Sequence, residues 1–256
     1  FFFEGYFGFE NLQGRRQVFR LKGLSENSPY HEKMFSELTE ADQRKLKNTV
    51  LRAINIRQLS PKGQKTSIYH IFERLNTGGT PLKPQEIRNC VFRGGFVKVL
   101  RDLNADKNWR TILGKTTFDK HQRDIELVLR VFALSKRVKD YEKPMKEFLN
   151  NAMEKNRSGA SDRVKHFEEV FPKTARLIAE KLGAKPFHIR GPLNTSVLDS
   201  VFCILMDNLR QIPLNIKERY QNLLDDSSFQ EKTSAATTDA NIIKKRFEIT
   251  KSHLIG

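Results

Sequence analysis

Apolar side chains in the later part of the chain recur at helical spacing. Ile68, Ile71, Phe72 and Leu75 stand at i, i+3, i+4 and i+7, which places them on one face of an α-helix. The same spacing predicts further helices at these positions: Phe96–Leu103, Lys143–Lys155, Ser161–Leu182 with a bend or restart at Pro172, Thr195–Leu209, Leu214–Leu224 and Asp239–Lys251. We therefore expect residues 66–256 to form a helical region.

Proline, glycine and polar stretches mark where these helices begin and end. Pro84 stands at the first-turn position that helices favour for proline, and Gly94-Gly95 ends the helix that it begins. His121–Val138 is apolar on most sides, which is typical of a central buried helix. The polar stretches Asn156–Ala160 and Ser227–Thr238 are predicted to be surface loops.

Residues 1–65 mix short extended pieces with one helix. Gln17–Leu21 and Ala53–Leu59 alternate polar and apolar residues as half-buried strands do. Thr39 is a favoured N-cap residue and predicts a helix over Glu40–Leu51. The expected fold class is therefore α+β and mostly α, with the end of a small α/β unit in residues 1–65 and helices in residues 66–256.

Basic residues outnumber acidic ones across the whole chain. The sequence has 46 Lys and Arg against 30 Asp and Glu, which gives a net charge of +16. This balance favours a polyanionic partner, because Lys and Arg contacts to phosphates release condensed counterions. The charge is spread over many elements, so nucleic acid is favoured over a membrane surface. Three clusters are candidates for phosphate contact, with solvated helix faces as the default interpretation: Arg15-Arg16, Arg44–Lys47 and Lys244–Arg246.

The sequence also indicates where the protein works. No apolar run approaches the ~18 residues that a membrane-spanning helix requires, and we expect no membrane partner. Cys90 and Cys203 lie far apart in helical apolar patterns, which predicts two buried, reduced thiols and a cytoplasmic protein. The chain begins without methionine and stops at Gly256 without a recognisable boundary, so we expect a fragment of a longer protein.

The most unusual run of residues, FERLNTGGTPLKPQEIRN, spans positions 72–89. It is typical of a helix, a tight loop and a second helix. Gly78-Gly79 permits positive φ or the close approach of a ligand, and the amides of Thr77–Thr80 offer an anion-binding concavity. Arg74 and Arg88 would supply bidentate phosphate contacts. The pattern alone leaves the matter open, since Asn-Thr-Gly-Gly is also an ordinary helix C-cap before a proline-initiated helix.

This run resembles the second signature of the GmrSD N-terminal domain family of bacterial restriction systems, roughly F-x-R-x-N-x-x-G-x-x-L-x-x-x-E. The signature maps without gaps onto Phe72, Arg74, Asn76, Gly79, Leu82 and Glu86. The flanking segments VFRGGFVKVLRDL, RDIELVLRVFAL and KPMKEFLNNAM are also similar to the family. The family's other hallmark is an Asp-Gly-Gln-Gln-Arg motif on a ParB/sulfiredoxin-like α/β unit. These 256 residues do not contain that motif, and the resemblance implies that it precedes Phe1.

The resemblance implies a nucleotide-dependent, DNA-sensing component of a restriction or anti-phage defence endonuclease that acts on modified foreign DNA. It implies a nucleoside triphosphate with Mg²⁺ as cofactor for the intact protein, and a nuclease domain or subunit as a partner besides DNA. The expected catalytic residues are Arg74, Asn76 and Glu86, and the expected nucleotide-phosphate contacts are Thr77, Gly78, Gly79 and Arg88. The alternative is a non-catalytic DNA-binding or protein-docking helical module.

Other candidate sites have weaker patterns. Gly114-Lys115-Thr116 is similar to the end of a phosphate-binding P-loop, but Trp109 stands where that motif needs glycine. The six histidines show no metal-ligand spacing, so no protein metal site is predicted: His31, His70, His121, His166, His188 and His253. His70 neighbours the 72–89 run, yet a solvent-facing or core role is favoured for it. Trp109 is expected to pack in the core and not to stack on bases.

Overall fold

The computed structural model describes residues 3, 6–7, 17–50, 66–75, 81–189 and 191–256, and it is mostly helical. The chain divides into two compact units, Phe1–Arg57 and Gln58–Gly256. The domain boundary predicted at residues 65 and 66 falls next to the stretch 51–65, which lies outside the described residues.

The first unit holds one short strand pair and one α-helix among its described residues. Strands β1 (Tyr6–Phe7) and β2 (Gln17–Val18) pair antiparallel, so the strand predicted over Gln17–Leu21 is confined to its first two residues. Helix α1 (Glu40–Lys47) begins as predicted at Thr39, whose hydroxyl accepts the Asp42 amide at 3.2 Å. It ends four residues before the predicted end at Leu51, because none of its side chains is buried and no packing extends it. The strand predicted at Ala53–Leu59 lies outside the described residues.

The second unit is built from helices. Their bounds are α2 Thr66–Leu75, α3 Pro84–Val91, α4 Gly95–Asn104, α5 Lys107–Leu113, α6 Arg123–Leu134, α7 Met145–Lys155, α8 Asp162–Leu182, α9 Thr195–Asp207, α10 Ile216–Asp225, α11 Ser227–Ser234 and α12 Ala240–Leu254. The two central helices are α6, which packs against α4, α7 and α9, and α9, which also packs against α8 and α12. Every residue from Ser196 to Met206 of α9 is buried, as expected for a helix surrounded by other helices. The prediction of a mostly helical region is confirmed.

Several predicted boundaries need correction. The central helix α6 is confirmed but covers Arg123–Leu134, which is shorter than the predicted His121–Val138. Helix α8 continues through Pro172 without a restart, since its apolar face is buried on both sides of the proline. The predicted loop Ser227–Thr238 contains α11, which Asp226 caps and Phe229 anchors in the core.

Helix α5 is an element that the hydrophobic pattern did not predict. The side chain of Asp106 caps it by accepting the amides of Asn108 and Trp109, both at 2.9 Å. Trp109 is fully buried, and its ring lies 5.2 Å from Phe171 and 5.6 Å from Phe202, centroid to centroid. The prediction that Trp109 packs in the core is therefore confirmed.

The two cysteines differ. Cys203 is buried on α9, as predicted, and its thiol donates to the carbonyl of Val131 at 3.6 Å. Cys90 is exposed, so the prediction of a second buried thiol is wrong. It lies on the outward side of α3, whose buried face is formed by Gln85, Ile87, Arg88 and Asn89. Among the described residues, no helix combines the length and the hydropathy needed to span a membrane.

Candidate functional site

The segment 72–89 ends α2 and begins α3. Three of its predicted site residues are described: Arg74, exposed in the last turn of α2, and Glu86 and Arg88 on α3. The remaining four lie outside the described residues: Asn76, Thr77, Gly78 and Gly79. The geometry of the site is therefore given by α3 and by the helices around it.

Glu86 has a fixed position at the start of α3. Pro84 is the first residue of this helix, and Glu86 is the third, from which its carboxylate reaches back to the backbone. Its Oε2 atom accepts the Lys83 amide at 2.7 Å. The same oxygen lies 3.4 Å from Nδ1 of His121. Glu86 therefore links the start of α3 to the turn before α6.

His121 is a site residue that the sequence pattern did not single out. Its backbone amide donates to Asp119 Oδ1 at 2.9 Å, which holds the turn that presents the ring. With Nδ1 facing the Glu86 carboxylate, the neutral ring that donates from Nδ1 has a lone pair on Nε2. The side chain is one-third exposed, so a lone pair on Nε2 would be available for proton transfer. His121 and Glu86 are 35 residues apart, and no local spacing connects them.

Arg88 is held inside the second unit. Its side chain is 2 % exposed, and its donors reach Asn150 Oδ1 at 2.9 Å, Glu126 Oε2 at 2.8 Å and Gln85 Oε1 at 3.2 Å. Its guanidinium also lies 5.9 Å from the centre of the Tyr69 ring. Two of its three guanidinium nitrogens, Nε and Nη1, are thus engaged with neighbouring side chains. The phosphate role of Arg88 stays a prediction, and what the structure describes is a buried network that supports α3 and α6.

A cavity of about 720 Å³ opens beside His121, within the size range of ligand sites in proteins. Its charged and imidazole-bearing lining residues are Lys83, Lys115, Arg123, Arg130, His121, His188, Asp119, Asp124 and Glu126. Pro84 and Gln85 of α3 also line it. The second helix of the 72–89 segment thus forms part of the wall.

The carboxylates of this wall are already paired. Asp124 forms an ion pair with Arg110 at 2.8 Å, and Glu126 pairs with Arg88 at 2.8 Å. In contrast, neither the Lys83 ammonium nor the Arg123 guanidinium has a hydrogen-bond or ion-pair partner in the described part of the chain. Paired acids beside unpaired cations make the cavity attractive to anions.

A metal centre made by the protein alone does not emerge from these side chains. Among the described residues, no group of three or more His, Cys, Asp or Glu side chains is placed to hold a metal ion. The predicted Mg²⁺ is an ion that would arrive with a nucleotide, since Mg²⁺ is commonly held by one or two carboxylates together with substrate phosphates.

A comparison of this chain with known protein families, curated proteins and solved structures found no match. The resemblance to the GmrSD N-terminal domain family therefore depends on the residues of the 72–89 segment and the stretches that flank it.

Proposed function

We propose that this chain is the nucleotide-dependent, DNA-sensing part of a bacterial restriction or anti-phage defence endonuclease, and that the cavity beside His121 binds the nucleotide. We base the proposal on one feature. Helix α3, the second helix of the 72–89 segment, forms part of the wall of a cavity lined by the unpaired cations Lys83 and Arg123 and by His121, whose ring faces the Glu86 carboxylate. In this proposal the ParB/sulfiredoxin-like α/β unit belongs to residues before 66, and the protein is cytoplasmic.

Transfer of the terminal phosphoryl group of a nucleoside triphosphate to water would fit these side chains. The water oxygen bonds to phosphorus, the bridging P–O bond breaks, and the nucleoside diphosphate leaves. Such a reaction needs charge stabilisation on the phosphate oxygens and a group that activates the attacking water. Lys83 and Arg123 would supply the positive charge, together with Lys115, whose ammonium lies 4.0 Å from the Asp119 carboxylate. His121 would accept the proton of the water at Nε2, with Glu86 stabilising the imidazolium that forms. The nucleotide's Mg²⁺ would neutralise further phosphate charge.

The DNA-sensing part of the proposal is supported by the charge of the chain. The net charge is +16, and the cluster Arg44–Lys47 places Arg44, Lys45 and Lys47 at the exposed end of α1. Exposed lysines and arginines bind the DNA backbone by releasing counterions, so we expect affinity for DNA that falls steeply with salt.

The test is a hydrolysis assay on the intact protein that contains this chain, with Mg²⁺ and each nucleoside triphosphate, in the presence and absence of modified DNA. We expect hydrolysis that responds to DNA and that His121→Ala reduces by about 100-fold, the usual contribution of a general base. The matched control is His253→Ala, because His253 also pairs with a carboxylate, Asp226, at 2.9 Å, but does not line the cavity.

Two outcomes would contradict the proposal. Equal activity of the His121 and His253 variants would remove His121 from the chemistry. An absence of hydrolysis, with salt-sensitive DNA binding retained, would favour the non-catalytic DNA-binding or docking module instead.

A further inference from the structure

The end of the cavity near the start of α9 is lined by an arginine, a histidine and several hydroxyl side chains, unlike the end beside His121. It is lined by Arg130 of α6, His188, Thr195 and Ser196 at the start of α9, and Thr237 and Thr238. Arg123 and Arg130 are seven residues apart on the same face of α6, which corresponds to about 10 Å along the helix axis. The cavity therefore places two arginines two helical turns apart.

Arg130 is oriented by a buried carboxylate. Its Nε donates to Asp199 Oδ2 at 3.1 Å, and its Nη2 donates to the same oxygen. Asp199 is fully buried, whereas the Arg130 side chain is 11 % exposed and lines the cavity. Two of the three guanidinium nitrogens are thus directed to Asp199, and Nη1 has no partner in the described part of the chain. Nη1 is the nitrogen that can donate to a ligand.

A second arginine, Arg246, is buried near Arg130, and two of its guanidinium nitrogens lack a hydrogen-bond partner among the described residues. Arg246 is fully buried, and its Nη1 donates to the carbonyls of Lys232 and Thr237 at 3.1 and 3.2 Å. Its Nε and Nη2 atoms have no hydrogen-bond partner among the described residues. Burial, opposed by Asp199 and reinforced by Arg130, lowers the pKa of Arg246 to about 10, which still leaves it charged at neutral pH. Asp199, which binds Arg130, therefore also acts on Arg246 through its charge.

Arg246 was predicted to belong to an exposed basic cluster, Lys244–Arg246. That prediction is wrong for Arg246, because α12 turns this position toward the core, where Ile243, Phe247 and Thr250 are also buried. A buried guanidinium without a full set of acceptors is energetically unfavourable, and a nearby anion would compensate its charge.

Neutral donors complete this end of the cavity. The hydroxyls of Thr195, Ser196 and Thr238 make no hydrogen bond to another described residue. Nδ1 of His188 is buried and has no hydrogen-bond partner in the part of the chain that the structure describes. The three hydroxyls line the same cavity as Arg130 and could donate to a ligand with several oxygens.

We propose that this end of the cavity is a subsite for a phosphate-class anion, which Arg130 Nη1 and the hydroxyls of Thr195 and Ser196 bind directly and Arg246 stabilises through its charge. The inference deepens the proposed function, since in that function the anion is the phosphate chain of the nucleotide. The same chemistry would accept inorganic pyrophosphate, which makes the subsite testable without a nucleotide.

The experiment is a calorimetric titration of the full chain with inorganic pyrophosphate. We expect Arg130→Met to weaken binding at least about tenfold, as a charge-assisted hydrogen bond to a phosphate requires. The control is Arg176→Met, which removes the same charge from an exposed residue whose partner Glu180 is one helical turn away. Equal affinity of these two variants would overturn the subsite, as would a wild-type chain that does not bind pyrophosphate.

Arg130→Met leaves Asp199 buried without its cation, so this variant could fail to fold. A second variant that keeps the ion pair is therefore needed. Thr195→Val keeps the shape of the side chain and removes one hydroxyl donor, and we expect it to weaken pyrophosphate binding severalfold. Its control is Thr111→Val, since the Thr111 hydroxyl is bonded to the Lys107 carbonyl at 3.0 Å and does not line the cavity. If Thr195→Val binds pyrophosphate as tightly as Thr111→Val does, the subsite is refuted.

A parallel titration with nucleoside triphosphates separates the two proposals. If Arg130→Met and Thr195→Val bind and hydrolyse nucleotide as the wild type does, the subsite is wrong and the proposed function stands. If pyrophosphate binding depends on Arg130 and Thr195 but the intact protein neither binds nor hydrolyses nucleotides, the subsite stands and the proposed function is wrong.

Discussion

Glu86 and His121 face each other at 3.4 Å, from carboxylate Oε2 to ring Nδ1, although 35 residues separate them along the chain. The same Oε2 atom accepts the Lys83 amide at 2.7 Å. Glu86 therefore has a structural task at the start of α3 and a second task in orienting the imidazole, and the two can be separated by substitution.

Two substitutions of Glu86 distinguish these tasks. Glu86→Gln retains an oxygen that accepts the Lys83 amide, so we expect the free energy of unfolding to stay within about 0.5 kcal/mol of the wild type. Glu86→Ala removes the cap and should cost about 1 kcal/mol. Both variants lose the carboxylate that orients His121, and both should reduce nucleotide hydrolysis by about 10- to 100-fold.

Urea unfolding and turnover measured on the same preparations check this prediction. Loss of activity in Glu86→Ala alone would mean that the cap matters and that the charge of Glu86 does not. That result would remove Glu86 from the proposed chemistry.

The two arginines of the 72–89 segment, Arg74 and Arg88, should contribute differently to the free energy of unfolding. Arg88 is buried and supplies hydrogen bonds to Gln85, Asn150 and Glu126. Arg88→Met should therefore destabilise the protein by about 3 kcal/mol, because it leaves these acceptors without a donor. Arg74 is exposed on α2, and Arg74→Met should change stability by less than about 0.5 kcal/mol. Equal midpoints for the two variants in urea would show that the Arg88 network does not stabilise the fold.

Much of the helical region was predictable, because apolar periodicity reports burial directly. Helices α4, α7, α8, α9, α10 and α12 all lie within three residues of their predicted ends. The pattern failed where tertiary contacts decide. Helix α11 has a single large apolar anchor, Phe229, and exists because Asp226 caps it and Phe229 finds a place in the core. Helix α1 was predicted too long, and none of its side chains is buried, so core packing does not lengthen it.

Only the part of the site on α3 was predictable from the sequence. The residue types and spacing of the 72–89 segment pointed to Glu86. In the structure Glu86 lies in the first turn of the helix that Pro84 begins, as expected. His121 and Arg130 carry no local signal, because they join Glu86 and Asp199 only through the packing of α3 on α6 and of α6 on α9. For the same reason the inward position of Arg246 could not be read from a run of basic residues.

The N-cap of α11 predicts a specific response to acid. The Asp226 carboxylate accepts the Phe229 amide at 2.9 Å and faces His253 Nε2 at 2.9 Å. The backbone hydrogen bond from Phe229, with that of His253, lowers the pKa of Asp226 below its ordinary value of 3.8. A lowered pKa in the folded state adds stability that is present above about pH 4 and is lost as the pH falls through the folded-state pKa.

Asp226→Asn tests this linkage, since asparagine can still cap the helix but does not titrate. We expect the variant to be less stable than the wild type at pH 7, by about 0.5 kcal/mol, and the difference to shrink toward about pH 3. The exposed neighbour Asp225, changed to Asn, is the control. A difference between wild type and Asp226→Asn that is the same at both pH values would contradict the prediction.

The two thiols should react at different rates with a thiol-specific reagent. The Cys90 side chain on α3 is exposed to a reagent but not fully, and its partial burial, with a smaller contribution from Glu86, raises its pKa. It should therefore react completely but slowly near about pH 8. Cys203 is fully buried on α9, and burial raises its pKa well above the ordinary value, so it should react only when the protein unfolds. Counting modified thiols before and after addition of guanidinium chloride should give one and then two per chain, and Cys90→Ser should give none and then one. Rapid modification of the native Cys90→Ser variant would show that α9 is accessible and that the helical core is not packed as described.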